Sequence, residues 1–175
     1  MTDSPAFSLG FYLGTLTRLL AHPRAAFGEL PPETGWSRPL GMLAVSSLLF
    51  TGASVIAQPG PQPVYLGLIY FANAMGMNLL AAGLGWLIIT LLGGRGIAFR
   101  RVFTIYALAA GITLLASWVP SLALLTEAWK WWLIWTGMTR GLGLPRRQAL
   151  MVVGISIALI ILLFWSLQSL LPSAG

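Results

Sequence analysis

The chain has 175 residues, of which 57% are hydrophobic and only 8% charged, with a formal net charge of +6. A soluble domain carries roughly a quarter charged residues, and one of this size could not hide so much apolar side chain in a core and still cover its surface. The basic balance does not point to nucleic acid either, because the arginines stand at the ends of apolar runs and not among polar base readers. Lipid is the solvent that fits. Eight tryptophans and twenty glycines agree, since Trp favours membrane interfaces and Gly is commoner in membrane helices than in soluble ones. There is no cysteine, which excludes disulfides, thiolate catalysis and Cys-ligated metals. The single histidine, His22, has no neighbouring ligand set and reads as an interfacial residue, so neither a metal site nor a cofactor is expected. Asp3 is acidic where a secretion signal would be basic, and no small-residue cleavage site follows a clean apolar core.

The expected fold is all-α: a polytopic membrane helix bundle of about five transmembrane helices, preceded by an amphipathic interfacial helix. Residues 1–37 read as a cytoplasmic N-terminal segment and 38–175 as the transmembrane domain. Within the first segment Leu9, Leu13, Leu16 and Leu20 fall at helical spacing, with Phe7, Phe11 and Tyr12 nearby. Gly10 and Gly14 interrupt a run too short to span, so residues 5–21 are expected to lie on the membrane face. The alternative, a sixth span, would place the N-terminus outside. Pro31-Pro32-Glu33-Thr34-Gly35 reads as a linker.

A span needs about 20 mostly apolar residues. Five runs meet that length: about 40–57, 64–92, 99–118, 121–138 and 148–171. A proline-rich turn at 58–63 closes the first, Pro120 separates the third from the fourth, and Pro172 closes the last. The second is longer than a bilayer requires and should tilt. Gly93-Gly94-Arg95-Gly96 lacks the Lys-Ser/Thr end of a phosphate loop and reads as a turn. Arg18, Arg24 and Arg38 precede the first span. Arg95, Arg100 and Arg101 join the second to the third, and Arg140, Arg146 and Arg147 join the fourth to the fifth. The segments 58–63, 118–121 and 172–175 carry no Lys or Arg. By the positive-inside rule the N-terminus is expected in the cytoplasm and the C-terminus outside. No internal repeat suggests the inverted-repeat transporter plan.

Glu127 and Lys130 are the non-arginine charges inside a span. Three apart on a helix they share a face and can pair. An intramembrane ion pair is a functional-site candidate by default, set against a structural pair with Lys130 snorkelling outward. Trp129, Trp131, Trp132 and Trp135 lie on the same run, with Trp118 before it. Trp118 and Trp129 read as an aromatic belt, Trp132 and Trp135 as packing against other helices. In the second span Ala74, Asn78, Ala81 and Gly85 form a small-residue stripe suited to close helix approach, with Asn78 offering an interhelical hydrogen bond. Asn73 lies on another face and needs its own partner. Either asparagine could line a polar cavity. Arg100-Arg101 and Arg146-Arg147 each precede a span, where they set topology and are candidates for binding lipid headgroups. No motif for hydrolase, zinc-protease or nucleotide chemistry is present, and no catalytic residue is assigned.

Two stretches carry a family resemblance. His22-Pro23-Arg24-Ala25-Ala26-Phe27 resembles the P-x-x-x-F element that opens the Yip-domain family (Ypt/Rab-interacting proteins) ahead of its first span. The stretch from Trp132 through Gly137 to Gly141-Leu142-Gly143-Leu144-Pro145-Arg146-Arg147-Gln148-Ala149-Leu150 is similar to that family's last connection, where a Trp-bearing helix reaches a glycine and a short basic loop precedes the final span. Pro145 stands where that helix usually starts with Ser or Thr, and the Asp-Leu-Tyr-Gly-Pro element and long N-terminal domain of eukaryotic members are missing. The resemblance therefore implies a compact prokaryotic-type relative, without Rab binding or vesicle trafficking. The expected role is non-enzymatic, with membrane lipids, partner membrane proteins or a second copy as binding partners and no nucleic acid. The alternative is a small transporter, channel or lipid-moving protein with a polar path near Glu127, Lys130, Asn73 and Asn78.

Overall fold

A computed structural model describes residues 7–31, 35–93 and 96–170, with side chains to residue 166. Among them the chain forms seven α-helices and no strand. These are α1 (Leu9–Ala21), α2 (Pro23–Gly28), α3 (Ser37–Ala57), α4 (Pro63–Leu91), α5 (Phe99–Ser117), α6 (Ala123–Gly141) and α7 (Arg146–Leu170), with a 3-10 turn at Pro120–Leu122 before α6. The linker residues 32–34, Arg95 and the chain end from 171 lie outside the described residues.

The helix ends follow local chemistry. Ser8 caps α1 by accepting a hydrogen bond from the Phe11 N–H at 3.1 Å. Proline sits in the first turn of α2 and α4, where its missing N–H costs nothing. Pro39 is likewise tolerated near the start of α3, which begins at Ser37, three residues before the expected span. Helix α6 ends where Gly143 takes a left-handed φ of +70° and the Leu144 N–H returns to the Met138 carbonyl at 3.1 Å.

Four helices, α3, α4, α5 and α7, are long and apolar enough to cross a membrane. Helix α6, the expected fourth span, has the same 19-residue length as α5. Its charges, Glu127, Lys130 and Arg140, keep it out of that set. The molecule is an integral membrane helix bundle. Its centre is α5, in which every residue from Val102 to Thr113 is buried. Helices α3, α4 and α6 surround it, and α7 packs outside against α4 and α6.

Hydrocarbon tails are as apolar as leucine, so helices in a membrane associate by close packing rather than by leaving water. Glycine makes that closeness possible here. A Cβ built on Gly111 of α5 would lie 2.9 Å from Met42 Cγ of α3. One on Gly85 of α4 would meet the Tyr106 ring of α5, with Cζ at 2.9 Å. One on Gly137 of α6 would collide with Ile105 of α5 and lie 3.2 Å from Phe27 Cδ1. Phe27 is fully buried, so α2 acts as a wedge between α5 and α6. The two stretches that carry the family resemblance meet at this point.

Helix α1 packs on the bundle through Tyr12, Leu16 and Leu19, and the Tyr12 hydroxyl shares a buried 3.0 Å hydrogen bond with Ser46 of α3. Leu9, Leu13 and Leu20 are exposed, so only Leu16 of the leucine stripe faces the protein. The small-residue stripe of α4 is also used within the chain: Ala74, Asn78, Ala81 and Gly85 are all buried. Its Gly85 end is covered by Tyr106 of α5. Trp132 is exposed, against the expectation of packing, whereas Trp135 is half-buried against the core.

Replacing Gly137 with Val should cost about 1–3 kcal/mol through overpacking against Ile105 and Phe27. Gly154→Ala on α7, where an added Cβ meets nothing, should be neutral or slightly stabilising. Unfolding of both variants in detergent micelles would check this; equal stability would deny the close contact at Gly137.

Candidate functional site

The α5 core loosens at its end. Residues 114–117 are half-buried, and next to Leu114 and Ser117 a cavity of about 450 Å³ opens between α4, α6 and α7. One side is polar. Asn73 and Asn78 come from α4, and Thr126, Glu127 and Lys130 from the first turns of α6. The other side is apolar. Ile157, Ile160, Ile161 and Phe164 of α7 line it, with Met77 of α4 and Phe50 of α3.

The periodicity of helices explains this division. Positions 157, 160, 161 and 164 repeat at the three-four spacing of one helix face. Thr126, Glu127 and Lys130 share a face of α6 for the same reason. Lys130 Nζ donates to Glu127 Oε1 at 2.6 Å. The two partners are unequally placed, the Lys130 side chain being 19% exposed and that of Glu127 55%. Lys130 is the deeper group, and it also lies 5.7 Å from the centroid of the Trp131 ring, within cation–π range. Trp131 is held edge-on against Tyr106 of α5 at 6.4 Å. The ammonium is thus fixed by a carboxylate on one side and an aromatic face on the other.

The asparagines differ. Asn78 is buried and donates through Nδ2 to the Ala74 carbonyl of its own helix at 2.6 Å. The expected interhelical bond does not form among the described residues, and Asn78 lines the cavity. Asn73 is exposed along the cavity wall. The four intramembrane polar residues singled out from sequence therefore line one cavity. Sequence did not single out Thr126, Ser117 or the α7 face. The isoleucine spacing was visible in the chain, but nothing local said what it faces.

The cavity has one end. No residue of α4 beyond Ala81 and none of α6 beyond Trp131 lines it. Beyond that depth the packing of α5 is closed.

The candidate headgroup arginines are dispersed. Arg101 donates to the Gly141 carbonyl at 2.8 Å, capping the C-terminus of α6, where a cation complements the helix dipole. Arg100 is half-buried, while Arg146 and Arg147 are exposed. Among the described residues no group of His, Asp or Glu is placed to hold a metal.

The family model of the Yip1 domain matches residues 17–167, which takes in both resembling stretches, all four apolar spans apart from their tips, and the cavity. The chain belongs to the Yip1-domain family. No curated protein and no solved structure gives a match. In this Yip1-domain chain the match begins within α1 and ends within α7, so the matched stretch includes α2 as well as the spans.

Because the chain has no cysteine, single cysteines report access cleanly. Asn73→Cys and Lys130→Cys should react with a membrane-permeant maleimide, and Ala109→Cys in the closed core should not. Equal labelling of all three would mean that the cavity is not a distinct space.

Proposed function

We propose that this Yip1-domain protein is a non-enzymatic membrane protein that binds one amphiphilic lipid in the groove between α4, α6 and α7. The observation that carries the reading is the two-sided wall: an ion pair and two asparagines opposite a continuous isoleucine and phenylalanine face. An acyl chain lies well along Ile157, Ile160, Ile161 and Phe164. The ester and headgroup atoms find donors and acceptors on α6 and α4. A zwitterionic headgroup suits the pair best, its phosphate beside Lys130 and its ammonium beside Glu127, since it keeps both charges neutralised at depth. In this proposal α6 crosses the membrane as the fourth of five spans, the N-terminus is cytoplasmic as the arginine distribution favours, and the groove lies in the outer half of the membrane.

A second reading, movement of lipid or solute, draws on the same convergence of polar side chains. The closed inner end of the cavity favours binding over a continuous path. Enzyme chemistry has no motif to support it.

Native mass spectrometry of the purified protein tests the lipid reading. The wild-type chain should retain lipid through delipidation, and Ile160→Trp, which fills the apolar side, should lose it. Lys130→Met should lower retention of zwitterionic lipid by about fivefold, as one charge contact implies. Undiminished lipid in both variants would refute the groove as the binding site. Orientation has its own check: Gln58→Cys should react with an impermeant maleimide added outside intact cells, and Arg147→Cys only after permeabilisation. The opposite pattern would invert the topology.

A further inference from the structure

At the opposite end of α6 from the groove, a second cavity of about 380 Å³ lies between α2, α6 and the start of α7. Its lining joins three arginines from three elements: Arg24 of α2, Arg140 of α6 and Arg146 of α7. Thr136, Thr139 and Trp135 form the α6 wall. Among the described residues the carboxylates are Glu29 and Glu127, and they pair with Arg18 and Lys130. None of the three arginines has an ion pair among the described residues.

Like charges gathered round one space are unfavourable unless an anion joins them. Thr136 gives an independent indication of what is missing. Its side chain is 2% exposed, yet its hydroxyl has no hydrogen-bond partner. Thr104, Thr113 and Thr139 return theirs to the Arg100, Ala109 and Trp135 carbonyls of their own helices, whereas Thr136, like Thr51 of α3, does not. A buried hydroxyl left unpaired is costly, and Thr136 is one of the residues lining the arginine cavity. The entrance of α7 adds to the field. Its first helical bond runs from the Ala149 N–H to the Pro145 carbonyl, so the preceding N–H groups have no helical acceptor and the helix dipole favours negative charge beside Arg146. The Trp135 indole N–H, 3.5 Å from the Arg146 carbonyl, ties α6 to this entrance.

We infer that the cavity bounded by Arg24, Thr136, Arg140 and Arg146 binds a phosphate group. Guanidiniums match phosphate oxygens in forked geometry, and the Thr136 hydroxyl supplies a further donor. The site is separate from the lipid groove. Two sources carry the same chemistry: the phosphate of an anionic phospholipid, and a soluble phosphate.

The test uses the full chain. In detergent, inorganic phosphate is titrated against chloride at matched ionic strength, with thermal stabilisation as the readout. In parallel, protein reconstituted in phosphatidylcholine with phosphatidylglycerol is delipidated and weighed intact. Arg24→Gln and Arg140→Gln, both at exposed positions, should each weaken the response about fivefold, and Thr136→Val should weaken it while keeping the side chain's shape. Arg147→Gln, outside the cavity, should leave it unchanged. Stabilisation by phosphate assigns the soluble source, and retention of phosphatidylglycerol without it assigns the lipid. No response to either probe, or equal losses for Arg147→Gln and Arg140→Gln, would overturn the site.

Discussion

Everything in this bundle depends on sinking one helix completely among the others. With no water to expel, α5 can be held only by contact, and contact at backbone range needs glycine. Each main neighbour meets α5 in this way: α3 through Met42 on Gly111, α4 through Gly85 under Tyr106, and α6 through Gly137 on Ile105. Phe27 then locks the α6 contact from outside the spans. Helix α2 is only six residues long, so its hold on the bundle comes from that buried ring and not from its own helical strength.

The same constraint locates the cavities. From Val102 to Thr113 α5 is enclosed by its neighbours, every residue of that stretch being buried. The groove opens where enclosure ends, at Leu114 and Ser117, and α7 stands outside as its lipid-side wall. The arginine cavity opens at the other end of α6, past the Phe27 wedge. Helix α6 therefore carries polar chemistry at both ends, which is why it is less apolar than its four companions. In the proposed function those charges are not a failure of the span but the reason for it.

Much of this was legible in the chain. Apolar run length located the helices to within a few residues, because backbone hydrogen bonding in lipid leaves the helix as the only open option. The three-residue spacing of Glu127 and Lys130 placed both on one face before any fold was known. What could not be read was which face meets which helix. The α1 leucines read as a stripe of an interfacial helix; Leu9, Leu13 and Leu20 are exposed, while Tyr12, Leu16 and Leu19 pack on the bundle. In lipid both sides are apolar, so periodicity does not tell inside from outside. The α4 stripe reads as suited to close helix approach, but the sequence does not say that Tyr106 is what covers Gly85. Arg24 is far in sequence from Arg140 and Arg146, and the packing of α2 on α6 brings it to them.

The central claim is that the α4–α6–α7 groove holds lipid. It is tested most directly by a phospholipid carrying a photoreactive acyl chain, crosslinked to the protein in a membrane and mapped by peptide mass spectrometry. The account predicts adducts concentrated on Met77, Ile157, Ile160 and Phe164. Adducts spread evenly over outward side chains such as Ile56, Leu124 and Leu150, with none favoured in the groove, would contradict it.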